Sequence, residues 1–212
     1  MTHAAPQYLT DPRAHPQDPH SPAVWVIESP NPDVLAELLA ERLNTAPAAI
    51  TFTTDAFGRR ALSPDTLQSH PAAATLDFSI SRRGNICVIG ICPAGRFGVD
   101  IELLPAPPTW RDTASDCCCE SELNWILTHD KQDQPEAFLQ IWTAKEATGK
   151  ALGLGLNTDP RNTELAECHG QLTLVRIQGH ASLATGWTLH QTRIRMTDAI
   201  AVVSVVIAHA VR

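Results

Sequence analysis

No stretch of this chain approaches about eighteen uninterrupted apolar residues, and no basic region followed by an apolar run opens it. A membrane-spanning helix and a secretory leader are therefore not expected, and the cytoplasm is the expected location. Basic residues are in deficit: 16 Lys and Arg against 23 Asp and Glu give a formal charge of -7. That balance argues against a general binder of nucleic acid or of acidic membranes. Paired cysteine spacing is missing too. Three of the six cysteines are the consecutive Cys117-Cys118-Cys119, with Cys87, Cys92 and Cys168 scattered elsewhere. Adjacent cysteines rarely meet disulfide geometry and no C-x-x-C has a distant partner, so free thiols are expected in place of bridges or a zinc site. What is present is 43% hydrophobic content over 212 residues, enough to bury a core in one large or two small domains.

Residues 1–22 carry Pro6, Pro12, Pro16, Pro19 and Pro22 with His3, His15 and His20 and little apolar content, and read as a flexible tail. Strand-like runs follow at 24–27, 50–53, 75–80, 86–91 and 97–104, interrupted by a helix in which Leu35, Leu38, Leu39 and Leu43 share a face. After the proline-rich joint Pro105-Ala106-Pro107-Pro108, helical patterns cover 120–128 and 135–152, and strands recur at 172–177, 188–194 and 200–208. The expected class is α+β, with an N-terminal half over 23–104 and a C-terminal half over 105–212 that repeats it in outline.

Two motifs carry chemistry. In Phe97-Gly98-Val99-Asp100-Ile101-Glu102, strand alternation turns Asp100 and Glu102 to one face. In Trp142-Thr143-Ala144-Lys145-Glu146-Ala147-Thr148-Gly149-Lys150, helical spacing stacks Trp142, Glu146 and Lys150 along one stripe. Three carboxylates converging from a strand and a helix repel unless a cation lies between them, and a hard divalent ion suits oxygen ligands; magnesium, beside a lysine, points to a phosphate-bearing substrate. Taken singly, each motif equally fits acids flanking a strand end or a solvated helix pair.

Together, and with Ala151-Leu152-Gly153-Leu154-Gly155-Leu156 following, the motifs resemble the 4'-phosphopantetheinyl transferases of the surfactin-synthetase-activating type, whose pattern is G-V/I-D-x-E, then W-S/T-x-K-E-A/S-x-x-K and a glycine-containing tail. The resemblance implies two similar α/β halves about an approximate two-fold, with coenzyme A in the cleft between them. It implies a magnesium ion, or manganese, held by Asp100, Glu102 and Glu146, and a monomeric enzyme that moves the phosphopantetheine arm to a serine of an acyl or peptidyl carrier protein. Lys150 would neutralise the leaving oxygen and Glu146, directly or through water, would take the serine proton. Ser79, Arg59 and Lys150 are the residues implied in binding coenzyme A.

The first half departs from the family. Arg60 replaces the proline of G-K/R-P-x-L in Phe57-Gly58-Arg59-Arg60-Ala61-Leu62, and Ala36, Glu37 and Glu41 stand where basic residues are common. Setting Leu76-Asp77-Phe78-Ser79-Ile80-Ser81 against F-N-L-S-H-S puts Ile80 in place of a histidine that, in the family, helps hold the coenzyme A 3'-phosphate. Isoleucine has no donor, so Arg59, Arg60, Arg82 and Arg83 are the candidates for replacement charge. A degenerate, non-catalytic homologue that binds carrier domains or a nucleotide is the alternative reading.

Overall fold

The computed structural model describes residues 5–11, 13–14, 16–18, 20–55, 58–154, 159–177 and 186–208. His3, Pro12, His15, Pro19, Phe57, Gly155 and Leu156, all named above, lie outside the described residues. The strands are β1 (Gln7–Leu9), β2 (Ala23–Glu28), β3 (Phe52–Thr54), β4 (Arg60–Leu62), β5 (Asp77–Arg83), β6 (Ile86–Cys92), β7 (Arg96–Leu104), β8 (Thr163–Cys168), β9 (Gln171–Ile177), β10 (Trp187–Arg195) and β11 (Ile200–Ala208). The helices are α1 (Val34–Arg42), α2 (Pro64–Ser69), α3 (Trp110–Cys117), α4 (Glu120–Leu127) and α5 (Gln134–Leu152). The expected α+β class is what is observed.

Two sheets matter for the site. One runs β1-β2-β6-β5 and the other β10-β11-β7, and strand alternation divides their side chains between three apolar layers. Odd positions of β2 and β6, among them Trp25, Ile27, Ile89 and Ile91, pack with Leu35, Leu38 and Leu39 of α1. Even positions such as Val24, Val26 and Val88 meet Phe97, Val99 and Ile101 of β7 and Val203, Val205 and Ile207 of β11. The order is thus helix, sheet, sheet, helix, with α1 outside the first sheet and α5 outside the second. Strands buried on both faces read as continuous apolar runs, which is why β6 and β11 stand out in the sequence. Burial of each such Val or Ile is worth about 1.5–3 kcal/mol.

Part of the stretch read as a tail is paired. Gln7–Leu9 form β1, parallel to Ala23–Trp25 of β2, and the Trp25 indole N–H donates to the Ala14 carbonyl at 3.1 Å. The prolines shorten the pairing but leave three residues with backbone groups free to extend the edge of β2. The division after Leu104 also falls at a shared element. β7 is paired antiparallel with β11 over nine residue pairs, so it is the edge of the C-terminal sheet. It nonetheless lies against β5: Asp77 Oδ2 accepts from Phe97 N–H at 2.8 Å, Ser79 Oγ accepts from Val99 N–H at 3.1 Å, and Ser81 Oγ donates to Asp100 Oδ1 at 2.7 Å. Alternate side chains of β5 thereby replace the missing backbone ladder between the two sheets. All six cysteines are free thiols.

Candidate active site

Even positions of β7, namely Gly98, Asp100 and Glu102, face α5. Gly98 sets the distance. A methyl group there would overlap the Ala147 carbonyl oxygen and lie 2.7 Å from Ala151 N, so the helix backbone rests directly on the strand. Ala147 and Ala151 each follow by one residue a member of the chemical stripe, Glu146 and Lys150, and the contact therefore brings that stripe beside the two acids. The helix starts with Pro135 in its first turn and stops at Gly153, whose φ of 73° is the left-handed conformation that closes a helix C-terminus.

Asp100 is 5% exposed. Its Oδ1 pairs with Lys150 Nζ at 2.7 Å, and the same ammonium donates to the Val99 carbonyl at 3.1 Å. Burial, opposed by the Arg83 charge and supported by the Asp100 charge, holds the Glu102 carboxyl above the usual range. Its Oε2 lies 2.8 Å from Arg83 Nε, yet this buried oxygen has no aligned hydrogen-bond donor. Glu146 is raised as well, by burial first and then by the charge of Asp100, with Lys150 pulling the other way and Glu102 adding to the rise. Asp100, Glu102, Glu146 and Lys150 thus form one electrostatic cluster.

The donors of this cluster fit a hard divalent cation: all are carboxylate oxygens, one of them buried without a donor, and their mutual repulsion lacks a full counter-charge. Among the described residues, however, no three ligand-type side chains are drawn around a common point. Asp100 is turned onto Lys150 and Glu102 onto Arg83.

A cavity of about 410 Å³ opens beside the cluster. Arg60, Ser79, Ile80 and Arg82 line it from β4 and β5, and Glu146 and Lys150 from α5. Arg59 also borders it, but its guanidinium is engaged: it pairs with Asp77 at 2.7 Å and donates to the Lys150 carbonyl. Arg96 donates to the Leu152 carbonyl at 3.0 Å. Both arginines therefore satisfy carbonyls at the end of α5, where the helix dipole favours cations. The Ser79 hydroxyl borders the cavity while holding β7, as above.

Arg82 is the cavity cation that the motif register passed over. Setting Phe78-Ser79-Ile80-Ser81-Arg82 against F-N-L-S-H, two residues along from the register used above, matches the phenylalanine and the second serine and puts Arg82 at the histidine. Alternation agrees, since Ile80 and Arg82 both line the cavity. A donor is therefore present where Ile80 suggested none. Trp142 stacks on Phe138 with ring centroids 6.4 Å apart. Lys145 points away from the cluster to Glu122, at 2.9 Å.

A strand bearing two acids is thus clamped by a glycine to a helix bearing a glutamate and a lysine, beside a ligand-sized cavity. The chain belongs to the 4'-phosphopantetheinyl transferase superfamily, whose model matches residues 96–203, from the start of β7 into β11. It is 29% identical over 120 residues to a Synechocystis sp. protein named as a 4'-phosphopantetheinyl transferase, covering 57% of this chain and 46% of that one. Over 126 residues it is 29% identical to the 4'-phosphopantetheinyl transferase ffp of Bacillus subtilis, covering 59% and 51%. The chain spans about half the length of the curated relatives it matches. Among solved structures, a holo-(acyl-carrier-protein) synthase from Bacillus anthracis in complex with CoA (3',5'-ADP) aligns with a TM-score of 0.42 at 21% identity, over 54% of this chain and 96% of that one.

Proposed function

We propose that this protein transfers the 4'-phosphopantetheine arm of coenzyme A to a serine hydroxyl of an acyl or peptidyl carrier protein, as an enzyme of the surfactin-synthetase-activating type. The observation that carries the reading is the Gly98 contact, which sets the two acids of β7 against Glu146 and Lys150 at the wall of the cavity. One chain supplies both motifs, which supports a monomer. No described helix is long and apolar enough to cross a membrane.

In the reaction the serine Oγ bonds to the β-phosphorus of coenzyme A as the bond to the bridging oxygen breaks, and adenosine 3',5'-bisphosphate leaves. Lys150, already in the cavity wall, meets the negative charge that grows on the leaving oxygen. Glu146 takes the serine proton through a water. A divalent ion, held by Asp100, Glu102 and Glu146, would act as a Lewis acid on the pyrophosphate oxygens. Arg82 and Arg60, both in the cavity wall, would take the phosphate at the adenosine end, since a guanidinium grips phosphate bidentately.

Intact-mass analysis of an apo carrier protein incubated with this protein, coenzyme A and magnesium tests the reading. The expected result is a gain of one phosphopantetheine arm that chelator abolishes and that falls by at least about 100-fold in Asp100→Ala. Folded protein that loads none of several carriers, beside a working control transferase, contradicts it.

A further inference from the structure

Five charged side chains meet where β5, β7 and α5 converge. Asp100, Glu102 and Glu146 bring three negative charges, Lys150 one positive charge from the helix stripe, and Arg83 a second from the last position of β5. Arg83 belongs to neither motif. Its Nε lies 2.8 Å from Glu102 Oε2, with the Arg83 side chain 47% exposed and the Glu102 side chain 14% exposed. The contact lacks an aligned hydrogen bond on that oxygen, so it is held by charge, and the half-exposed guanidinium can turn into water without leaving a donor buried. Glu102, the more enclosed partner of the pair, is less free to turn into water.

Resting on the reading that these three carboxylates take a divalent cation, we propose that Arg83 is a positioning residue that sets the affinity of that site: it occupies Glu102 in the metal-free protein and must swing aside when a cation binds. It acts as a tethered competitor. With Arg83 in place the cluster carries a net charge of one negative unit, and with Arg83 withdrawn two, so removing the guanidinium strengthens attraction for a divalent ion.

The experiment is titration of the full chain with Mn²⁺, reading free Mn²⁺ by electron paramagnetic resonance, in the wild type, Arg83→Gln, Arg83→Lys and Asp100→Ala. Arg83→Gln is expected to bind roughly 3- to 10-fold more tightly at low ionic strength, with the gap narrowing as salt screens the exposed charge. Arg83→Lys, which keeps the charge, is expected to stay near the wild type, and Asp100→Ala to lose the binding. A residue that merely supported the end of β5 would give weaker binding when replaced by Gln. Equal or weaker binding by Arg83→Gln overturns the inference, as does absence of Mn²⁺ binding in both proteins. Carrier loading under a magnesium titration then shows whether the transferase reading falls with it or stands alone.

Discussion

Lys145 and Glu146 are neighbours in sequence with opposite fates. One helix step of 100° separates them: both line the cavity, but Glu146 belongs to the charge cluster, while the Lys145 ammonium is buried against Glu122, at 2.9 Å, with both side chains 1% exposed. Lys145 also donates to the carbonyls of Pro160, at 3.0 Å, and Thr163, and Glu122 accepts from Cys119 N–H at 2.8 Å and Leu165 N–H at 2.9 Å. The pair thus ties α5 to α4 and β8 through satisfied groups. Lys145→Met leaves the Glu122 carboxylate buried without its counter-charge, and unfolding in urea is expected to show a loss of about 3–5 kcal/mol. Adding Glu122→Gln should recover part of that loss, since no unpaired charge then remains. Helix periodicity made the direction of Lys145 legible. Its partner was not, because an ion pair between residues twenty-three positions apart leaves no local pattern.

At the scale of elements, the join between β7 and α5 decides whether the two motifs form a site at all. Helix and strand touch backbone to backbone at Gly98, and nothing else in the contact can yield, since the atoms met are the Ala147 carbonyl and Ala151 N. Gly98→Ala is expected to push α5 outward, cost about 1–3 kcal/mol in stability as overpacking does, and lower carrier loading by at least about tenfold while the protein stays folded by circular dichroism. Gly84→Ala, at a turn where a methyl group meets nothing, serves as the control for a glycine replaced without crowding, although its φ of 59° adds local strain. Long periodic elements were readable in advance: α1, α5, β6, β7 and β11 fall where apolar spacing places them. Others were not. β1, β4 and the helix α2 are three to six residues long, too short for a period to register, and α3 carries mostly polar residues around the buried Trp110, Ala114 and Cys117. β8, with alternation only in its first three residues, takes its place from pairing with β9.

For the whole molecule, the cavity is a seam between two sheets, and its two walls were unequally legible. The α5 wall and the acids of β7 are local motifs with fixed spacing, so Asp100, Glu102, Glu146 and Lys150 could be named from sequence; their charges act on one another, although no three ligand-type side chains among the described residues close around one point. The β5 wall depends on register, and a shift of two residues preserves which face each residue takes while changing which residue stands at the histidine. Alternation alone therefore does not choose between Ile80 and Arg82, and among the four arginines named as candidates for the replacement charge the structure puts Arg59, Arg60 and Arg82, but not Arg83, in the cavity lining. The arginines divide by what they touch. Arg59 is committed to Asp77 and the end of α5, Arg83 to Glu102, and Arg60 sits 5.1 Å above the Phe52 ring. Arg82 is exposed in the cavity wall, so its charge is open to a ligand anion. Arg82→Ala should therefore weaken coenzyme A binding by about 10-fold or more while changing the affinity for dephospho-coenzyme A by less than about twofold, measured by titration calorimetry. Equal losses for the two ligands would place Arg82 at the pyrophosphate instead, next to Lys150. No loss for either would leave the adenosine end of the cavity to Arg60. The stability of the variant should be close to that of the parent, because the side chain is exposed.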